Sequence, residues 1–149
     1  DMAAPRGVRN NNPGNIDRSG TVWQGEDRSA AARQREPRFC VFTSPEFGFR
    51  ALAKVLLTYQ KRHGLRTVRA VINRWAPPVE NNTDAYVREV AKVVGVEPDA
   101  RIDVTQFRTT FALAKAIARH ENGGHFWPDA TIAKGVDMAG VHEGESDGR

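Results

Sequence analysis

The chain has 149 residues, enough for one core and too few for several, so a single domain over residues 1–149 is expected. One cysteine, Cys40, excludes an intrachain disulfide and a four-cysteine zinc site, and no apolar run is long enough to span a membrane. The 22 Lys and Arg against 18 Asp and Glu leave a net charge of +4, spread singly and in pairs, which permits anionic partners without marking a nucleic-acid tail.

The first 43 residues are turn chemistry. Asn10-Asn11-Asn12-Pro13-Gly14-Asn15, Ser19-Gly20, Gly25 and Pro37 punctuate short strand-like pieces near Asn15–Ile16, Thr21–Trp23 and Phe39–Phe42. Arg28 to Arg38 reads as a polar loop or one helical turn. The period then becomes helical. Thr43-Ser44-Pro45-Glu46 opens a helix, with Glu46 at a capping-box position, and Gly64 closes it after Leu52, Leu56, Tyr59 and His63 on one face. Val68, Val71, Ile72 and Trp75 mark a second helix, stopped by Pro77-Pro78. Asn82 or Thr83 caps a third, with Tyr86, Val90, Val93 and Val94 inward. Asp103, with Gln106 three residues on, is expected to cap a fourth bearing Phe107, Phe111, Ala114 and Ala118, ended by Asn122-Gly123-Gly124. A last short helix is expected after Asp129, read as its cap, and residues 141–149 read as a disordered tail. The class is α+β, mostly helical, with a small turn-rich β region at the N-terminus.

Glu121 continues the spacing of Phe107, Phe111, Ala114 and Ala118 and falls in the last turn of its helix. A carboxyl on an apolar stripe has its charged form disfavoured, and the negative helix end pushes the same way. A carboxyl that keeps its proton suits general acid catalysis. Spacing alone leaves a second reading open, a helix-end Glu paired with a buried Arg or a backbone amide. Glu26 and Asp27 read as loop charges, and Cys40 as a small buried hydrophobe. His120 and His125 lack metal-ligand spacing, so no metal or organic cofactor is expected. Trp23, Trp75, Tyr86 and Trp127 could stack on pyranose rings. Trp75 reads more simply as core, and the spacing does not decide for Tyr86.

Several segments carry a resemblance. Arg6-Gly7-Val8-Arg9-Asn10-Asn11-Asn12-Pro13-Gly14-Asn15-Ile16, Trp23-Gln24-Gly25, Phe39 to Phe49, Ile72-Asn73-Arg74-Trp75-Ala76-Pro77-Pro78 and Arg119-His120-Glu121-Asn122-Gly123 together resemble the phage-type virion-associated lysins. These in turn resemble the lysozyme and lytic transglycosylase superfamily, and the match runs from Arg6 to about Gly140. The Asn-rich turn, Trp-x-Gly and aromatic strand are similar to the β region of flagellar-type glucosaminidases, and Asn82 to Val90 is similar to a Tyr-bearing transglycosylase segment. In those proteins the catalytic-Glu helix precedes the β region; here the similar helix, Phe111 to Gly123, comes near the C-terminus. The order implies a circularly permuted lysozyme-like domain, with Asn11 to Gln24 lining the cleft that Glu121 faces.

The resemblance implies cleavage of the β-1,4 link from N-acetylmuramic acid to N-acetylglucosamine, by a lytic transglycosylase or a muramidase. Glu121 would be the catalytic residue, and Asn12, Asn15, Gln24 and Tyr86 would hold sugars. A muramidase needs a second carboxylate roughly 5 to 9.5 Å away, which the sequence does not identify. Expected partners are peptidoglycan glycan strands, with neither nucleic acid nor membrane, acted on by a monomer in the bacterial wall. No leader opens the chain, so a virion or secretion route would deliver it. The rival readings are a non-catalytic glycan-binding or virion structural module and, resting on net charge alone, a DNA-binding accessory protein.

Overall fold

A computed structural model describes residues 4–79 and 81–144. Seven helices occur among them: α1 (Arg6–Arg9), α2 (Ala30–Arg35), α3 (Pro45–His63), α4 (Val68–Trp75), α5 (Thr83–Val94), α6 (Phe107–Glu121) and α7 (Asp129–Met138). Local chemistry sets several of their ends. Ser44, Thr67 and Asn82 accept the N–H of Phe47, Ala70 and Ala85 and so cap α3, α4 and α5. Gly64 and Gly95 take the left-handed conformation that stops α3 and α5.

Several expected ends move. Ser44 rather than Thr43 caps α3, so Glu46 is simply an acidic first-turn residue and forms no capping box. Asp103 caps no helix: it accepts from the Gln60 amide and from the N–H and hydroxyl of Thr105, while Gln106 stands at the start of α6. Asp129 is the first residue of α7 and pairs with Lys115 at 3.0 Å instead of capping. Val93 points outward, and Val87 takes its inward place. Val141, where a disordered tail was expected to begin, is buried and donates its N–H to Val136. Residues 142–144 are exposed, and the rest of that expectation, at 145–149, lies outside the described residues.

The core is helix on helix. α3 packs along α7 and α6, and α5 joins α4 to α6. Phe49, Leu52, Leu56, Ile72, Leu113 and Ile117 are fully buried at its centre. Each such side chain contributes roughly 1.5–3 kcal/mol through apolar burial.

The mostly helical expectation holds, while the turn-rich region forms no named strand among the described residues. Two isolated antiparallel bridges, Asp17 with Phe39 and Glu26 with Phe42, are all that the strand-like pieces make. Turns cut those pieces too short, and Phe39 to Phe42 are all buried instead of alternating. Side chains hold the region instead. Asn12, wholly buried, accepts from the Ile16 N–H and donates to the carbonyls of Ile16 and Cys40. Glu36, also buried, accepts from Arg6, from the Asn10 amide and from the N–H groups of Arg38 and Phe39.

This region docks on α3 where Gly48 allows close approach. A Cβ there would overlap the Asn11 carbonyl oxygen and crowd Pro13. Gly48→Ala should therefore destabilise by about 1–3 kcal/mol. A thermal melt monitored by circular dichroism checks this; an unchanged midpoint would show that the loop shifts without cost.

Candidate active site at the C-terminal end of α6

Asn122, just past α6, sets the geometry. Its amide donates to Ala118 O and to Pro13 O, each at 2.8 Å, tying the helix end to the N-terminal turn. Gly7 lies so close that any Cβ would overlap the Asn122 side chain. Glu121, the last residue of α6, is thereby set beside residues more than a hundred positions earlier in the chain.

Three neutral donors from three other segments meet its carboxyl. The Tyr86 hydroxyl, from the first turn of α5, donates to Oε2 at 2.9 Å. The Trp75 indole N–H, from the end of α4, lies 3.4 Å from the same oxygen. The Asn15 amide lies 3.5 Å from Oε1, a distant contact. Asn15 adopts a left-handed backbone (φ 50°), which asparagine tolerates and which turns its side chain toward α6. Burial first, then the charge of Glu121, hold the Tyr86 phenol far above its ordinary range, so it remains a donor. On its other face the Tyr86 ring stacks on His120 with centroids 3.6 Å apart, and the His120 Nδ1 lies 2.8 Å from Glu89.

Glu121 opens onto a cleft of about 500 Å³. Gly14 to Asp17 form one wall, and Tyr59 and the segment from Trp75 to Pro77 face it, with Arg38 and Asn81 also lining the space. Gly14 lets the Trp75 ring approach; a Cβ there would lie 3.0 Å from the indole. Asp17 is exposed on the rim and paired with Arg38 at 3.0 Å.

Two of the sequence-predicted residues fall on this cleft, Glu121 and Asn15. Tyr86 reaches it only through Glu121, since its ring is buried. Asn12 and Gln24 are corrected. Asn12 spends its amide on the backbone of its own turn, and exposed Gln24 is absent from the cleft wall. Of the expected Asn11 to Gln24 wall, only Gly14 to Asp17 borders the cleft. The apolar surroundings expected for Glu121 are also corrected. The buried face of α6 runs through Thr110, Leu113, Ala114, Ile117 and Ala118, and Glu121 stands half-buried among polar donors at its edge.

Trp75, favoured as core, lines the cleft. Trp23 packs on a small apolar cluster of Cys40, Phe42 and Ala51, and Trp127 packs edge-on against Phe49. Glu26 is buried between Arg18 and Arg28, away from the cleft. Cys40 is a buried free thiol, pushed up to about 12 chiefly by burial, which fits a packing role. Trp75 was weighed for sugar stacking but read as core, and Asn122 was read only as part of a helix stop, because both act through partners distant in sequence.

Tyr86→Phe removes the shortest hydrogen bond to Glu121 while preserving the ring. If Glu121 is catalytic, turnover should fall about 10- to 100-fold, somewhat less than the loss of an oxyanion-hole donor. Rate and melting temperature measured together check this; an unchanged rate would make the hydroxyl irrelevant to Glu121.

Fold and site define a class: a small helical protein presenting a half-buried carboxyl, from the C-terminal end of a helix, to an open cleft. The chain is 34% identical over 137 residues to Protein P5 of Pseudoalteromonas phage PM2, covering 90% of this chain and 81% of that protein. It belongs to the family of that phage protein. No family model matches the chain.

Proposed function

We propose that the protein cleaves peptidoglycan glycan strands at the β-1,4 bond from N-acetylmuramic acid to N-acetylglucosamine, as a lytic transglycosylase on a permuted lysozyme-like frame. The observation that carries the reading is the Glu121 carboxyl facing the cleft with three neutral donors around it and, among the described residues, no ion pair. A carboxyl held this way can gain and lose a proton without stranding a partner cation. The kinship with a phage protein is in keeping with a phage origin.

In this mechanism Tyr86 and Trp75 hold Oε2, and Oε1 faces the substrate. Oε1 gives its proton to the glycosidic oxygen as the bond from muramyl C1 to that oxygen breaks. The N-acetylglucosamine segment leaves with a free 4-hydroxyl, and positive charge spreads over muramyl C1 and the ring oxygen. The ionised carboxylate then takes the proton of the muramyl C6 hydroxyl. O6 bonds to C1, which closes a 1,6-anhydro ring and returns Glu121 to its starting state. One carboxyl serves both steps. Hydrolysis would need a second, and the cleft's other carboxylate, Asp17, is exposed and tied to Arg38. Trp75 and Tyr59 offer aromatic surface to the sugar faces, and Asn15 and Asn81 offer amides to the hydroxyl and acetamide groups.

Incubating the protein with purified sacculi tests the reading. Soluble muropeptides should appear with the wild-type protein. Intact sacculi after prolonged incubation would favour the non-catalytic glycan-binding alternative.

A further inference from the structure

Away from the cleft, two adjoining grooves of about 480 and 620 Å³ share Arg66. One is lined by Lys54, Lys61 and Arg62 of α3 and the other by Arg101 and Arg108. None of these six cations forms an ion pair among the described residues. The sole acid on the grooves, Asp103, is already bonded to Gln60 and Thr105, which hold it below the usual carboxylate range. Unpaired like charges lining two joined concavities repel one another, and a partner with spaced anions would relieve that repulsion. Arginine forks match carboxylates and phosphates bidentately.

Position narrows the partner. Lys54, Thr58 and Lys61 share one face of α3, while Val55 and Tyr59 on the neighbouring face border the Glu121 cleft. A polymer engaged at the cleft therefore brings its own side groups around α3.

We infer that these grooves bind the free carboxylates of peptidoglycan stem peptides and hold the protein on the wall between cuts. The inference rests on the proposed substrate but not on catalysis. Intact sacculi present these carboxylates at high density, close to the glycan that the cleft takes.

Sedimentation of the Glu121→Gln protein with purified sacculi across a salt series tests this. Retention should weaken steeply with salt. Adding K61E/R62E/R108E, at three exposed positions, should lower retention roughly tenfold, since several modest ion contacts are lost together. Converting the wall carboxylates to neutral amides should lower retention of the parent protein as much. In the otherwise wild-type protein, K61E/R62E/R108E should leave cleavage of peptide-free glycan strands unchanged. Undiminished retention of the triple variant, indifference to amidation, or stronger displacement by duplex DNA than by soluble stem peptides would overturn the inference. A wild-type protein that binds sacculi in this groove-dependent way without cutting them would sink the proposed activity and leave the grooves' role standing.

Discussion

Glu121→Gln should fold as the wild type does and lose muropeptide release by a factor of about 10² to 10⁴, the usual contribution of a general acid. Glutamine keeps the shape and can still accept from Tyr86 and Trp75, whose bonds go to one oxygen. What it lacks is a proton to give to the glycosidic oxygen and a charge with which to take one from the C6 hydroxyl. The half-buried position at the end of α6 accommodates the amide without a new cavity. Circular dichroism and a melting curve should match the wild type. A variant that releases muropeptides at the wild-type rate would remove Glu121 from the chemistry, whatever the cleft resembles.

The largest effect on stability should come from Glu36→Ala. Truncation leaves the Asn10 amide and the Phe39 N–H without their buried acceptor and frees Arg6. Buried donors left unpaired cost roughly 1–3 kcal/mol each, so a loss of about 3 kcal/mol is expected. At about 2–4 °C per kcal/mol, the melting midpoint should drop by roughly 6–12 °C. The pH dependence has a definite sign. The Arg6 hydrogen bonds, above all, hold the Glu36 carboxyl well below the usual carboxylate range. A depressed carboxyl stabilises the folded state above its unfolded value, near ~4.3, and that contribution is lost as pH falls toward the folded value. Melts of Glu36→Gln and wild type should therefore converge in strong acid, separate as pH rises toward about 5 and stay apart above it. Parallel curves at every pH would mean that Arg6 and Glu36 are not coupled in solution.

The sequence was most legible where structure is local. Asn82, one of the two expected caps of its helix, marks that start because a cap needs only the next three residues. Gly64 marks an end for a similar reason. Glu121 was visible as a candidate from its place in an amphipathic helix, but its surroundings were misread. The stripe of Phe107 and Phe111 lies at the edge of the buried face, and the groups that touch the carboxyl come from positions 15, 75 and 86. No periodicity encodes those meetings.

The asparagine run shows the same limit at short range. Asn10 bonds Glu36, Asn11 bonds the Phe42 carbonyl, Asn12 bonds Ile16 and Cys40, and Asn15 alone reaches toward Glu121. Their shared composition predicted a turn correctly and gave no sign of which amide would face the cleft. Glu36 was missed for a related reason, since Arg6 lies 30 residues earlier.

Mass spectrometry of muropeptides released from purified sacculi tests the central claim most directly. Wild-type protein should yield 1,6-anhydromuramyl ends, and Glu121→Gln should yield none above the buffer control. Reducing muramic acid in place of anhydro ends would contradict the single-carboxyl mechanism, and anhydro products from the Glu121→Gln protein would contradict the role of Glu121 itself.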